Sequence, residues 1–189
     1  MNSALIKLYK IIYFCINYFN YKYIHYNSRI FFNVRVNGKK YIQLENGCVV
    51  QRQGWLLALK INNVDPILTI REGTAVGDFC HITAVNEVII EKNVLIANKV
   101  YISDNAHSYE DINRPIIFQK VKFINKVVIK EGAWIGENVC IIGASIGRNS
   151  IVGANSVVLN DIPDYSVAVG FPAKVVKKYS FETNKWERV

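Results

Sequence analysis

The chain has 189 residues, 51% of them hydrophobic, with a net charge of +8. That is enough apolar material for one well-buried domain. The basic residues are scattered and form no nucleic-acid-binding motif, which excludes that class of partner; the charge fits an anionic small ligand or an anionic membrane surface instead. The four cysteines, Cys15, Cys48, Cys80 and Cys140, form no CxxC pair. A zinc or disulfide framework is therefore excluded, and a reducing, cytoplasmic setting is expected.

Residues 1–30 differ in composition from the rest. Ala4 to Phe19 is an apolar and aromatic run interrupted by Lys7 and Lys10. It is too short to cross a bilayer as a helix and lacks the flanks of a signal peptide. It is predicted to be a helix that packs on the rest of the chain or on a neighbouring subunit. The alternative is an interfacial helix making peripheral contact with the inner membrane through residues 4–19. Ile30 to Tyr41, with the turn signal Asn37-Gly38, reads as short strands that lead into a periodic region.

From Leu44 onward an aliphatic residue returns every six positions. The frame runs Leu44, Val50, Leu56; Ile70, Val76, Ile82; Ile90, Ile96, Ile102; Ile129, Ile135, Ile141; Ile146, Val152, Val158. The spacing departs from six only after each third member. Such a pattern is an internal repeat, and three sixes followed by a variable gap describe a coil with three faces. The predicted fold is an all-β solenoid of about five three-faced coils, spanning 31–178. Insertions leave from one corner, the longest being 103–126, and a tail covers 179–189. A single coil cannot bury its core, so stacking of neighbours must do it.

Chemistry-bearing residues sit at the breaks in this frame. His81 immediately precedes inward Ile82 and should face outward, with Thr83 and Asn86 nearby. The insertion from Ser103 to Lys126 is long and polar, and loops of that kind are usually functional. It carries His107, with Asp104 and Asn105 before it and Glu110 and Asp111 after it. Trp134 precedes inward Ile135 and is also expected on the outside. There is no GxSxG motif for a serine nucleophile. The three histidines, His25, His81 and His107, form no close pair, so no metal site is expected.

Three segments, ISDNAHSYEDINRPI (102–116), GAWIGENV (132–139) and SIVGANSVVLNDIPDYSVAVGFPAKVVKK (150–178), resemble those of the hexapeptide-repeat acyltransferases. The resemblance covers roughly 40–178. It implies a left-handed parallel β-helix, a homotrimer with active sites between subunits, and acetyl-CoA as cosubstrate. His107 falls on the family's catalytic histidine, with Asp104 preferred as the group that orients it. Trp134 matches a tryptophan beside the active site. Gly136, Glu137, Gly153, Ala154, Leu159 and Asn160 match the CoA groove, where Asn160 replaces a common lysine. Lys174 and Lys177 match positions that meet the nucleotide phosphates. His81, Thr83, Asn86 and Asn105 are candidates for holding the acceptor.

An acceptor hydroxyl is a poor nucleophile at neutral pH. A neutral imidazole, with a pKa of about 6.5, can take its proton as the oxygen attacks a thioester carbonyl. The resemblance is nearest to the O-acetyltransferases of bacterial O-antigen, capsule or exopolysaccharide, with a saccharide acceptor, lipid-linked or free. Transfer to the amine of an amino sugar is the alternative. A metal hydratase like γ-type carbonic anhydrase and a non-catalytic scaffold are remoter ones.

Overall fold

The computed structural model describes residues 3–189; the first two residues of the expected N-terminal segment lie outside it. Short strands follow one another around a three-sided column, and each pairs in parallel with its equivalent one turn away. Among the described residues, the three faces hold five, nine and six strands.

The register explains the six-residue period. On the first face Leu44, Ile70, Ile90, Ile129 and Ile146 pair in sequence. On the second face Val50, Val76, Ile96, Ile135 and Val152 do so. On the third, Leu56, Ile82, Ile102, Ile141 and Val158 do so. All fifteen are buried. Each inward side chain therefore rests on the same type of side chain above and below. The hydrogen bonds run along the column and the apolar contacts fill its axis.

The column extends beyond the five coils read from the sequence. A turn precedes them: Ile24 pairs with Leu44, Ile30 with Val50 and Val36 with Leu56. These three residues are themselves six apart. The solenoid thus begins at Tyr23, earlier than the expected boundary at residue 31. A partial turn comes after them, with Ile162 on Ile146 and Ala168 on Val152. The chain then reverses. Ala173–Ser180 and Lys185–Arg188 continue the second face as antiparallel strands, so 179–189 is part of a hairpin and not a free tail.

One helix, α1 (Ser3–Asn17), covers the N-terminal end of the column. Tyr13 and Phe14 pack against the core. The Tyr9 hydroxyl donates to the Ile30 carbonyl, Tyr13 and Tyr21 share a hydroxyl bond of 2.8 Å, and Lys39 Nζ donates to Asn17 Oδ1 at 2.7 Å. Helix α1 thus packs on the solenoid by one face. No helix among the described residues is long and apolar enough to cross a membrane.

Glycines mark places where successive turns approach closely. A Cβ on Gly147 would lie 2.2 Å from the Asp164 nitrogen, and one on Gly136 2.6 Å from the Ala154 nitrogen.

Candidate active site

The 103–126 insertion is an arm. Asn105–His107 pairs antiparallel with Val121–Phe123, setting His107 opposite Val121. The arm leaves from the end of a third-face strand, Tyr101–Ser103, and returns to a first-face strand, Val127–Ile129. It therefore stands on the corner between those faces. His107 is exposed near the base of the arm.

Asp104 has a different role from the one expected. Its side chain is fully buried. Its carboxylate accepts from three successive backbone N–H groups: Val85 at 2.9 Å, Asn86 at 2.7 Å and Glu87 at 2.8 Å. A fourth bond, 2.8 Å, comes from Asn105 Nδ2. A carboxylate wrapped by consecutive N–H groups is a strong, charge-assisted arrangement. Asp104 thus fixes the corner of the preceding turn, and its acceptor capacity is spent there and not on the imidazole.

The other acids of the arm are engaged as well. Glu110, beyond the end of the first strand, pairs with Lys122 of the second, which holds its carboxyl below the usual range. Asp111 accepts from the Asn113 N–H at 3.0 Å and shapes the tip.

The four candidate acceptor residues separate into two groups. Thr83 is buried, and its hydroxyl receives Asn105 Nδ2 at 3.3 Å, so the pair braces the base of the arm. Asn86 contributes its backbone to the Asp104 cradle. His81 faces outward as alternation predicts, but within a ladder of rings: it stacks on Trp55 at 4.3 Å and 7° and meets Tyr101 edge-on at 5.3 Å. Arg35 covers the other face of Trp55 at 4.3 Å. Burial, and then the charge of Arg35, lower the His81 pKa.

Trp134 lies on the outer side of the second face, between Leu95 and Ile151, and is 49% exposed. The second face is opposite the corner that bears the arm. One chain therefore does not bring Trp134 to His107. Gly136 and Glu137 follow Trp134 at the corner between the second and third faces, with Gly153 and Ala154 one turn beyond. The close stacking of Gly136 on Ala154 leaves this corner free of bulk. Glu137 forms a 3.6 Å ion pair with Lys99. Leu159 and Asn160 are exposed and follow Val157–Val158, at the corner that bears the arm two turns earlier. Lys174 and Lys177 are exposed on the antiparallel strand and sit opposite Val169 and Val167.

The cysteines offer no activated thiolate. Burial pushes Cys48 up to about 12 and Cys80 up to about 11, and raises Cys140 as well. The exposed fourth, Cys15, lies on α1 at the far end of the column.

A three-faced parallel solenoid carrying a histidine arm is the build of an acyl-transferring β-helix, and comparison with known proteins agrees. No protein-family model matches the sequence. A protein of Escherichia coli K12 named for O-acetyl transfer in lipopolysaccharide biosynthesis, WbbJ, is 37% identical over 129 residues, covering 65% of this chain and 66% of that one. The chain spans about half or less of the next curated relatives it matches. The N-acyltransferase AntD of Bacillus cereus, solved with dTDP and 3-hydroxybutyryl-CoA, superposes with a TM-score of 0.74 over 89% of this chain and 88% of that one at 17% identity. The hexapeptide-repeat acetyltransferase VCA0836 of Vibrio cholerae gives 0.63 over 94% and 88% at 20% identity. The chain belongs to the hexapeptide-repeat acetyltransferases, and its column is their left-handed β-helix.

Proposed function

We propose that the chain is an acetyl-CoA-dependent O-acetyltransferase acting on a sugar hydroxyl of a bacterial surface polysaccharide, with His107 as general base. The observation that carries this reading is the placing of His107. It is exposed near the base of a braced arm, while Asp104, Glu110 and Asp111 are all held by other partners. The WbbJ relative, named for O-acetyl transfer, favours a hydroxyl acceptor.

In this mechanism His107 takes the hydroxyl proton as the acceptor oxygen attacks the thioester carbonyl. The tetrahedral oxyanion collapses, the carbon–sulfur bond breaks, and the imidazolium returns its proton to the departing thiolate. The residues present fit a CoA chain. The Gly136–Ala154 corner admits a flat pantetheine arm, and Lys174 and Lys177 supply charge for phosphates. Trp134 can donate its indole N–H to the oxyanion or the thiolate.

These parts lie on opposite sides of one column, so the complete site is formed between copies in a homotrimer. The arm of one copy brings His107 to the second face of its neighbour. The tip of the arm supports this, since Ile112, Ile117 and Phe118 are 92%, 79% and 63% exposed. The use of acetyl-CoA fits a reaction in the cytoplasm. A second reading, transfer to the amine of an amino sugar, is favoured by the fold shared with AntD.

The test is thioester consumption by the purified protein against sugars with free hydroxyls or free amines, with its mass measured by light scattering. Transfer to a hydroxyl by a trimer is expected, and transfer only to amines selects the second reading. His107→Ala should stay folded, bind CoA and lose transfer by roughly 10²–10⁴-fold. Retained turnover would remove His107 from its role.

A further inference from the structure

Helix α1 has two faces, and only one is covered by the column. The uncovered arc carries Leu5, Leu8, Ile11, Ile12 and Ile16, between 48% and 69% exposed, with no charged residue among them. Phe19, 93% exposed, extends the arc just beyond the helix. An apolar stripe of this size marks a surface meant to be covered.

The charges around it say by what. The first acidic residue of the chain is Glu45. Before it stand Lys7, Lys10, Lys22, Arg29, Arg35, Lys39 and Lys40, so this end alone accounts for seven of the eight net positive charges. None of these seven takes part in any of the ion pairs among the described residues.

Two of them, Lys10 and Arg29, are near enough for their charges to repel, and Arg29 lies over the Phe31 ring at 5.2 Å. Lys10 Nζ finds only the neutral Asn27 Oδ1, at 2.8 Å, and its pKa is lowered by burial and by the charge of Arg29. Arg29 Nε is buried with no hydrogen-bond partner. A shallow groove lined by Lys7, Lys10, Ile11, Tyr26 and Asn27 opens at this place, on the margin of the apolar arc. An apolar stripe bordered by unpaired cations, with exposed Tyr23 and Tyr26 at its rim, suits acyl chains beneath a layer of acidic headgroups.

We infer that α1 and the first turn dock on the surface of an anionic lipid bilayer, with Leu5, Leu8, Ile12 and Ile16 buried among the acyl chains and the Lys10–Arg29 pair on a lipid phosphate. The helix lies in the interface and does not cross: 15 residues reach about 22 Å, short of a hydrocarbon core of about 30 Å. A second copy is the weaker occupant, because two such ends brought together would set Lys7, Lys10, Lys22 and Arg29 against the same four cations of the other copy. The inference is independent of the acetyl-transfer reading.

The experiment is flotation of the full-length protein with vesicles of pure phosphatidylcholine or of phosphatidylcholine with phosphatidylglycerol. The wild type is expected to float only with the anionic vesicles and to be released by high salt. Lys7→Gln and Lys22→Gln should each weaken binding about fivefold, from about 1 kcal/mol per juxtamembrane cation. Leu8→Glu/Ile12→Glu changes only exposed positions; it should abolish flotation while circular dichroism and Tm stay unchanged. Equal flotation with both vesicles, flotation with neither, or full flotation of the Glu variant would each overturn the inference. A loss of mass in light scattering by the Glu variant without lipid would assign the face to a second copy and overturn it as well.

Discussion

Replacing Asp104 by alanine removes the acceptor from three consecutive backbone N–H groups at once. A buried donor left without a partner costs about 1–3 kcal/mol. The Val85 N–H is inside, with its residue 3% exposed, and pays near the middle of that range. Asn86 and Glu87 are half-buried, so water can reach them and each falls near the bottom. The sum is about 4 kcal/mol, a large part of the 5–15 kcal/mol that holds a typical domain together. For a chain of this size the loss lowers Tm by on the order of 10 °C. Asp104→Asn keeps one acceptor oxygen but turns an NH₂ group toward another donor, so it should fall between. The measurement is urea and thermal unfolding at fixed protein concentration, with transfer assayed on the same samples. A Tm within 2 °C of wild type would refute the cradle argument. So would lost transfer at unchanged Tm, which would return the carboxylate to the reacting centre.

Three further outcomes are expected. His81 has a lowered folded pKa, so the unfolded chain binds its proton more readily. Stability should therefore fall as pH drops below the unfolded value of about 6.5, and should level off below the folded value. His81→Gln should flatten that part of the Tm–pH curve, and an unchanged curve would place the sensitivity elsewhere. Gly147→Ala drives a Cβ to 2.2 Å from a backbone nitrogen, whereas Gly153→Ala meets the movable Val169 side chain at 2.7 Å. Overpacking against rigid backbone should make the first about 1–3 kcal/mol worse than the second in urea unfolding. Lys174→Ala and Lys177→Ala should raise KM for acetyl-CoA with kcat nearly constant, more so at low salt; an unaltered KM would mark both as solvated surface.

The core was legible in the sequence because every inward position has the same neighbours. A stack such as Leu44, Ile70, Ile90, Ile129 and Ile146 needs an aliphatic residue at each level, and spacing alone reveals it. The turn at Ile24, Ile30 and Val36 carries the same spacing, hidden among tyrosines and phenylalanines that belong to its outer surface and to the junction with α1. The role of Asp104 could not be read, because its donors lie 17 to 19 residues earlier, one turn away, and the donors are backbone atoms that any residue supplies. The arm looked like a loop because Asn105–His107 and Val121–Phe123 are three residues each, too short to show alternation. Trp134 was correctly expected on the outside, while its place on the face opposite the arm depends on how the turns stack, which spacing alone does not show.

Two different devices close the ends of the column, α1 at one and the antiparallel strands 173–188 near the other. Between them every turn offers the next a row of open N–H and C=O groups in parallel register. A column built this way has no intrinsic length, since its last rung is chemically like its first. At the first end α1 lies over part of the opening rung, where the Tyr9 hydroxyl donates to the Ile30 carbonyl; at the other, the hairpin prolongs the second face alone. Without the helix that carbonyl would stand open to another donor. The helix is therefore also a partial terminator of the ladder it packs on.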